Sequence, residues 1–171
     1  MSTLKATQEN IDLICSFIDP SEHIWGIYDP VRPDIPIPWR VEPPNKFTYY
    51  MATNKGDKKR VDAVCCLALL DEIPTTEEEL MSYGEGNIAI FYTVFSRNTV
   101  DPMPGSTKRG KGREVLNNTI QEISKMPVTR YITLSPKTEM ARKFHLKNGA
   151  VLLQENETTL NFEYKLSEEG E

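Results

Sequence analysis

Apolar positions along the chain follow two rhythms, and the change from one to the other predicts its elements. Ile11, Leu13, Ile14, Phe17 and Ile18 approximate helical spacing and Pro20 follows closely, so residues 9–18 read as a first amphipathic helix. From Lys46 the period shortens to that of strands: 47–53, a polar turn at Asn54-Lys-Gly-Asp, then 61–70, the pattern of an antiparallel hairpin. Residues 75–80, with three consecutive glutamates, read as a solvated connection, helical or looped. The run from Ile88 to Phe95 is almost continuously apolar and rich in β-formers, which predicts a central strand covered on both faces. Val115, Leu116, Thr119, Ile120 and Ile123 then share one helical face, with Pro127 beyond it. A strand is predicted at 128–134. Ser135-Pro136 reads as the N-cap and first turn of a helix that ends at Asn148-Gly149. Residues 151–154 and 159–166 close the chain as a hairpin, and 167–171 form an acidic tail. The sum is one α/β (α+β) domain over 1–166.

Between the first helix and the hairpin, residues 20–44 carry seven of the 12 prolines, which fix φ and remove hydrogen-bond donors along an extended segment. The same stretch holds Trp25, Trp39, Ile24, Ile27, Tyr28, Ile35 and Ile37. It is too apolar for a solvated linker and is expected to pack over the core or to line a ligand site.

Composition sharpens this picture. With 39% hydrophobic and 26% charged residues the chain sits in the ordinary globular range. Its longest apolar stretch, 61–70, is interrupted by Asp62 and falls well below the ~18 residues of a membrane-spanning helix. The N-terminus lacks a basic region followed by an apolar run, so a cytoplasmic protein with no membrane partner is expected. Cys65 and Cys66 are adjacent in a strand and should face opposite ways; with Cys15 they make neither a disulfide framework nor a metal-ligand spacing, and no metal is expected. The net charge of −5 argues against a nucleic-acid binder. It is unevenly spread, however: residues 106–147 hold ten Lys/Arg against three Glu, a local +7, leaving −12 for the rest. An anionic ligand would be drawn to that stretch.

Its densest part is Thr107, Lys108, Arg109, Gly110, Lys111, Gly112 and Arg113, between the central strand and the amphipathic helix. There the helix N-terminus and successive backbone amides would converge on one spot, an arrangement that attracts phosphate. The glycines allow close approach, and the four cations add charge. A solvated basic turn accounts for the same residues without a ligand.

This loop resembles the pyrophosphate loop of the GCN5-related acyltransferase (GNAT) superfamily, Gln/Arg-x-x-Gly-x-Gly/Ala, through Gly110-Lys111-Gly112 with Thr107 in the leading position. A later family pattern, Ala-x-x-Phe-Tyr-x-x-x-Gly-Phe, is similar to Ala141-Arg-Lys-Phe144-His145-Leu-Lys-Asn-Gly149-Ala150, with His145 where a tyrosine often serves as general acid. Over residues 89–164 the chain further resembles the catalytic domain of malonyl-CoA decarboxylases, which share that fold. The matching runs are Ala89-Ile-Phe-Tyr92, Thr133-Leu-Ser-Pro136, Phe144-His-Leu-Lys-Asn-Gly-Ala-Val-Leu152 and Asn161-Phe-Glu-Tyr164. The large helical insertion that separates these motifs in that family is absent from the sequence.

The resemblance implies a GNAT fold, a mixed and mostly antiparallel sheet flanked by helices. It also implies an acyl-CoA partner (acetyl-CoA or malonyl-CoA), with residues 107–113 at its pyrophosphate. Ser135 and His145 are the implied catalytic pair, with Tyr164 a further site candidate. Decarboxylation would need Ser135 as donor to the thioester oxygen and His145 as the acid for the carbanion. A straight helix beginning at Ser135 would hold the two about 15 Å apart; the pair therefore requires a helix that starts later, near Thr138, or a substrate that bridges them. Two other readings stay open: acyl transfer from CoA to the amine of a small-molecule or protein acceptor, and a non-catalytic CoA-binding module. Each residue also has a purely structural reading, Ser135 as N-cap, His145 as a packed histidine, Tyr164 and Tyr92 as core aromatics. His23 is given no role. A homodimer is left open.

Overall fold

In the computed structural model of the protein, residues 3–15, 31–55, 58–96 and 110–166 are described. In chain order the elements are β1 (Thr3–Lys5), α1 (Ile11–Cys15), a 3-10 turn (Pro38–Val41), β2 (Lys46–Lys55), β3 (Lys58–Leu70), α2 (Glu77–Ser82), β4 (Ile88–Ser96), α3 (Lys111–Ile123), β5 (Arg130–Thr133), β6 (Ser135–Pro136), α4 (Glu139–Lys147), β7 (Val151–Glu155) and β8 (Thr159–Tyr164). The strands form one sheet in the spatial order β1-β2-β3-β4-β5-β8, with β6 carrying on from β5 along β8 and β7 on the other edge of β8. Among the described strands only β4 and β5 run parallel. This is the mixed, mostly antiparallel sheet that the family resemblance implied.

Each face of the sheet buries its own core, because side chains alternate along every strand. One face receives α1, α2 and the described part of the proline-rich segment, residues 31–44: Ile11, Ile14, Ile35 and Leu80 pack on Tyr50, Val64, Cys66, Ile90 and Tyr92. The other receives α3, whose Val115, Leu116, Ile120 and Ile123 cover Met51, Cys65, Leu67, Phe91, Leu160, Phe162 and Tyr164. Cys65 and Cys66 thus face opposite ways, and all three cysteines are buried thiols. No helix among the described residues is long and apolar enough to cross a membrane.

Two departures from the expected elements matter for the site. The β4–β5 pairing ends at Phe91↔Thr133, where the Leu134 amide donates to the Phe91 carbonyl at 2.9 Å. Past that point the chain turns away to pair with β8, while β4 runs on to Ser96 beside β3, and a fork opens between them. At its base β4 carries a bulge: Cys66 faces Thr93 and Leu67 faces Phe91, which leaves Tyr92 as the extra residue.

The second departure corrects the reading of Ser135-Pro136 as a helix start. Ser135 pairs with Leu160 as a strand residue, and the hydroxyl that caps the helix belongs to Thr138, which accepts the Ala141 amide at 3.1 Å. Pairing with β8 satisfies the backbone there and displaces the local capping preference. The other differences are small. β1 is too short to leave an alternation in the sequence, and of the first predicted helix only Ile11–Cys15 lies within the described residues.

Candidate functional site

Helix α3 begins at Gly110, whose φ of +89° lies in the left-handed region that glycine adopts without a steric penalty. The Gly110 carbonyl accepts the Glu114 amide at 2.8 Å to close the first turn, and the opening amides of the helix have no carbonyl within it to pair with. Gly112 is buried. A Cβ at that position would stand 3.5 Å from the Phe144 ring and 4.0 Å from the Ser96 Cβ, so the start of α3 rests against both α4 and the far end of β4. Lys111 is half-buried and Arg113 exposed. Thr107, Lys108, Arg109 and His23 lie outside the described residues.

His145 sits in the last turn of α4. That helix ends as its Asn148-Gly149 sequence requires: Gly149 has φ +98°, and the Ala150 amide reaches back to the His145 carbonyl at 3.0 Å. The imidazole is buried among Phe144, Phe162 and Tyr164, with ring centroids 5.1, 5.3 and 5.8 Å away. Its Nδ1 lies 2.7 Å from the Tyr164 hydroxyl. Burial drives the imidazole down to a pKa of about 4 and pushes the Tyr164 phenol up. A C-terminal helix position favours the imidazolium, but desolvation prevails here, so at neutral pH both members of the pair are uncharged. The imidazole thus lies well below the ordinary histidine value of about 6.5.

Ser135 does not contact His145 directly. Its Oγ lies 2.8 Å from Thr133 Oγ1, which also accepts the Phe162 amide at 3.0 Å. Asn161, fully buried, holds this corner together: its Nδ2 donates to the carbonyls of Thr133 (2.7 Å) and Pro74 (3.1 Å), and its Oδ1 accepts from Gln154 (2.9 Å) and Asn156 (2.8 Å).

The strand register places the two candidate residues relative to each other. Ser135 is directly opposite Leu160, so its side chain shares the face of Leu160, Phe162 and Tyr164. His145 stacks beside Phe162 on that face. Two residues of β8, about 7 Å, separate their levels. The helix does start late, at Thr138, as a direct pair would require, yet Ser135 and His145 are not brought into hydrogen-bond contact.

Tyr92 lies on the opposite face against Trp39, with ring centroids 5.6 Å apart. A groove of about 620 Å³ between β1, β2 and the C-terminal half of α3, lined by Lys5, Tyr49, Asn118 and Glu122 among others, is remote from His145. Thr133 and Phe162 were not singled out from the sequence as site residues, because the predicted strand stopped at Leu134. Had it been carried one residue further, the i, i+2 rule would have put Thr133 and Ser135 on one face.

No protein-family model matches the chain, and no curated protein matches it in sequence. Solved structures do match. Malonyl-CoA decarboxylase from Agrobacterium vitis superposes with a TM-score of 0.60 at 14% identity over 97% of this chain. The chain has the GNAT acyltransferase fold. It spans 60% of the decarboxylase chain. The GNAT-fold protein NAA60 of Arabidopsis thaliana, solved with a bisubstrate analogue, gives a TM-score of 0.51 at 14% identity over 74% of this chain and 80% of its own. A chain of the KacTA–DNA complex gives 0.53 at 10% identity over 95% and 92%. At these identities the likeness is one of fold.

Proposed function

We propose that the protein acts on a CoA thioester, with the start of α3 at the pyrophosphate and the acyl end between Ser135 and His145, and that its reaction is decarboxylation of a malonyl-type thioester. The observation that carries this reading is the neutral His145–Tyr164 pair lying two strand residues, about 7 Å, along β8 from the level of the Ser135 hydroxyl, on the face that also receives the glycine-led helix.

Loss of CO2 leaves an electron pair on the α-carbon that delocalises onto the thioester oxygen as an enolate. Ser135 donates a hydrogen bond to that oxygen where the charge develops. The enolate carbon then takes a proton from Nε2 of His145 as Nδ1 receives the phenolic proton of Tyr164. The phenolate then takes its proton back from Nδ1 as Nε2 picks up a proton from water, which restores the starting tautomer; the C–CO2 bond has been exchanged for a C–H bond. The relay needs only uncharged groups at its start, which fits an imidazole held at about 4 and a phenol raised by burial. The basic residues of α3 and α4, Lys111, Arg113, Arg142, Lys143 and Lys147, supply the positive field for the phosphates.

Acyl transfer to an amine is the second reading, supported by the same fold in NAA60 with its bisubstrate analogue. The two part in their products. Decarboxylation of malonyl-CoA yields CO2 and acetyl-CoA with no free thiol, whereas transfer yields free CoA only when an amine is present. Incubation with malonyl-CoA, and with acetyl-CoA plus an amine, followed for CO2 and thiol, tests both. CO2 release lost in His145→Ala supports the proposal, and turnover of neither thioester refutes it.

A further inference from the structure

We propose that Thr133 is a positioning residue that orients the Ser135 hydroxyl as a donor toward the thioester oxygen. The inference rests on the site proposed above.

The Thr133 Oγ1 is fully enclosed and accepts the Phe162 amide at 3.0 Å, while its backbone is pinned by the Asn161 side chain at 2.7 Å. Ser135 Oγ, 2.8 Å away, is its hydroxyl partner. Two proton arrangements fit that contact. In one, Ser135 donates to Thr133, whose own buried proton then has no acceptor among the described residues, at a cost typical of an unmade buried hydrogen bond. In the other, Thr133 donates to Ser135, and the proton left over is the one on Ser135, which keeps a small accessible surface and the face shared with His145. The second arrangement is preferred. It gives a directed chain from the Phe162 N–H through the Thr133 O–H to the Ser135 O–H, in which each bond polarises the next. The Ser135 proton is then available for donation outward, which is what a developing enolate oxygen requires.

Thr133→Val keeps the shape and removes the relay. Steady-state kinetics with malonyl-CoA are measured for the wild type, Thr133→Val, Thr133→Ser, Ser135→Ala and the Thr133→Val/Ser135→Ala double variant. The expected results are a kcat lowered about tenfold in Thr133→Val with KM within twofold of wild type, rescue of kcat in Thr133→Ser, and no more than a twofold further loss when Thr133→Val is added to Ser135→Ala. Should Thr133→Val fail to fold, Thr133→Cys, whose thiol is a weak donor and acceptor, is expected to show the same loss of kcat. An active wild type with kcat unchanged in Thr133→Val or Thr133→Cys overturns the role of Thr133 alone, as does an equal loss in the presence and absence of Ser135. A wild type that turns over no thioester overturns the proposed function and this inference with it.

Discussion

The Tyr164 hydroxyl meets Nδ1 of His145 at 2.7 Å inside an aromatic enclosure, joining the end of strand β8 to the last turn of α4. The contact fixes the imidazole ring and gives its buried nitrogen a partner. It also sets the first expectation: Tyr164→Phe leaves Nδ1 without its bond and should cost about 1–3 kcal/mol in urea unfolding. The same change should lower kcat with malonyl-CoA more than it alters KM, because it removes the proton that follows the one given by His145.

The imidazole's low pKa makes stability depend on pH. The unfolded chain binds a proton at this histidine below about pH 6.5, whereas the native protein resists it until about pH 4. Stability is therefore complete above that window and falls as pH drops through it, by up to roughly 1.4 kcal/mol per pH unit. In His145→Phe this part of the slope should vanish. Unfolding midpoints of wild type and variant at pH 4.5, 5.5 and 6.5 should converge toward the acid end.

The two glycines at the start of α3 should respond in opposite ways. Gly110→Ala places a Cβ at φ +89° and is expected to destabilise by about 1–2 kcal/mol. Gly112→Ala meets the Phe144 ring only at ordinary contact distance and gains up to ~1 kcal/mol of helix propensity. Gly112→Ala should thus raise the melting temperature of the free protein. If the phosphates of CoA approach the backbone there, it should also shrink the further rise that CoA produces, since a ligand bound only to the native state stabilises it. Thermal melts with and without CoA separate the two effects.

Asn161 is the keystone of the Ser135 corner, with all four of its hydrogen-bonding positions used. Asn161→Leu strands the Thr133 and Pro74 carbonyls in a buried place and should cost about 3–5 kcal/mol or prevent folding. Chemical denaturation, or the soluble yield, reads this directly.

Much of this architecture was legible in the residues. The continuous apolar run at 88–95 marked the central strand, Gly110-Lys111-Gly112 marked the helix start, and Asn148-Gly149 marked the end of α4. What misled was Ser135-Pro136, whose local chemistry suits a cap as well as a strand end. Only the pairing with Leu160, 25 residues later in the chain, decides between them. The meeting of His145 with Tyr164 escaped for the same reason: the sequence carried both as candidates, but their contact depends on how α4 lies across β8. The pKa of His145 was beyond local reading altogether, since it follows from burial among three aromatic rings drawn from two elements.

The most direct test of the account is a crystal structure with a non-decarboxylating malonyl-CoA analogue. The pyrophosphate is expected at the amides that open α3 beside Gly112, and the thioester oxygen within hydrogen-bond reach of Ser135 Oγ, with the acyl carbon facing His145. An analogue seated elsewhere, in the groove beside Tyr49 and Asn118 for example, or no bound analogue at saturating concentration, would contradict it.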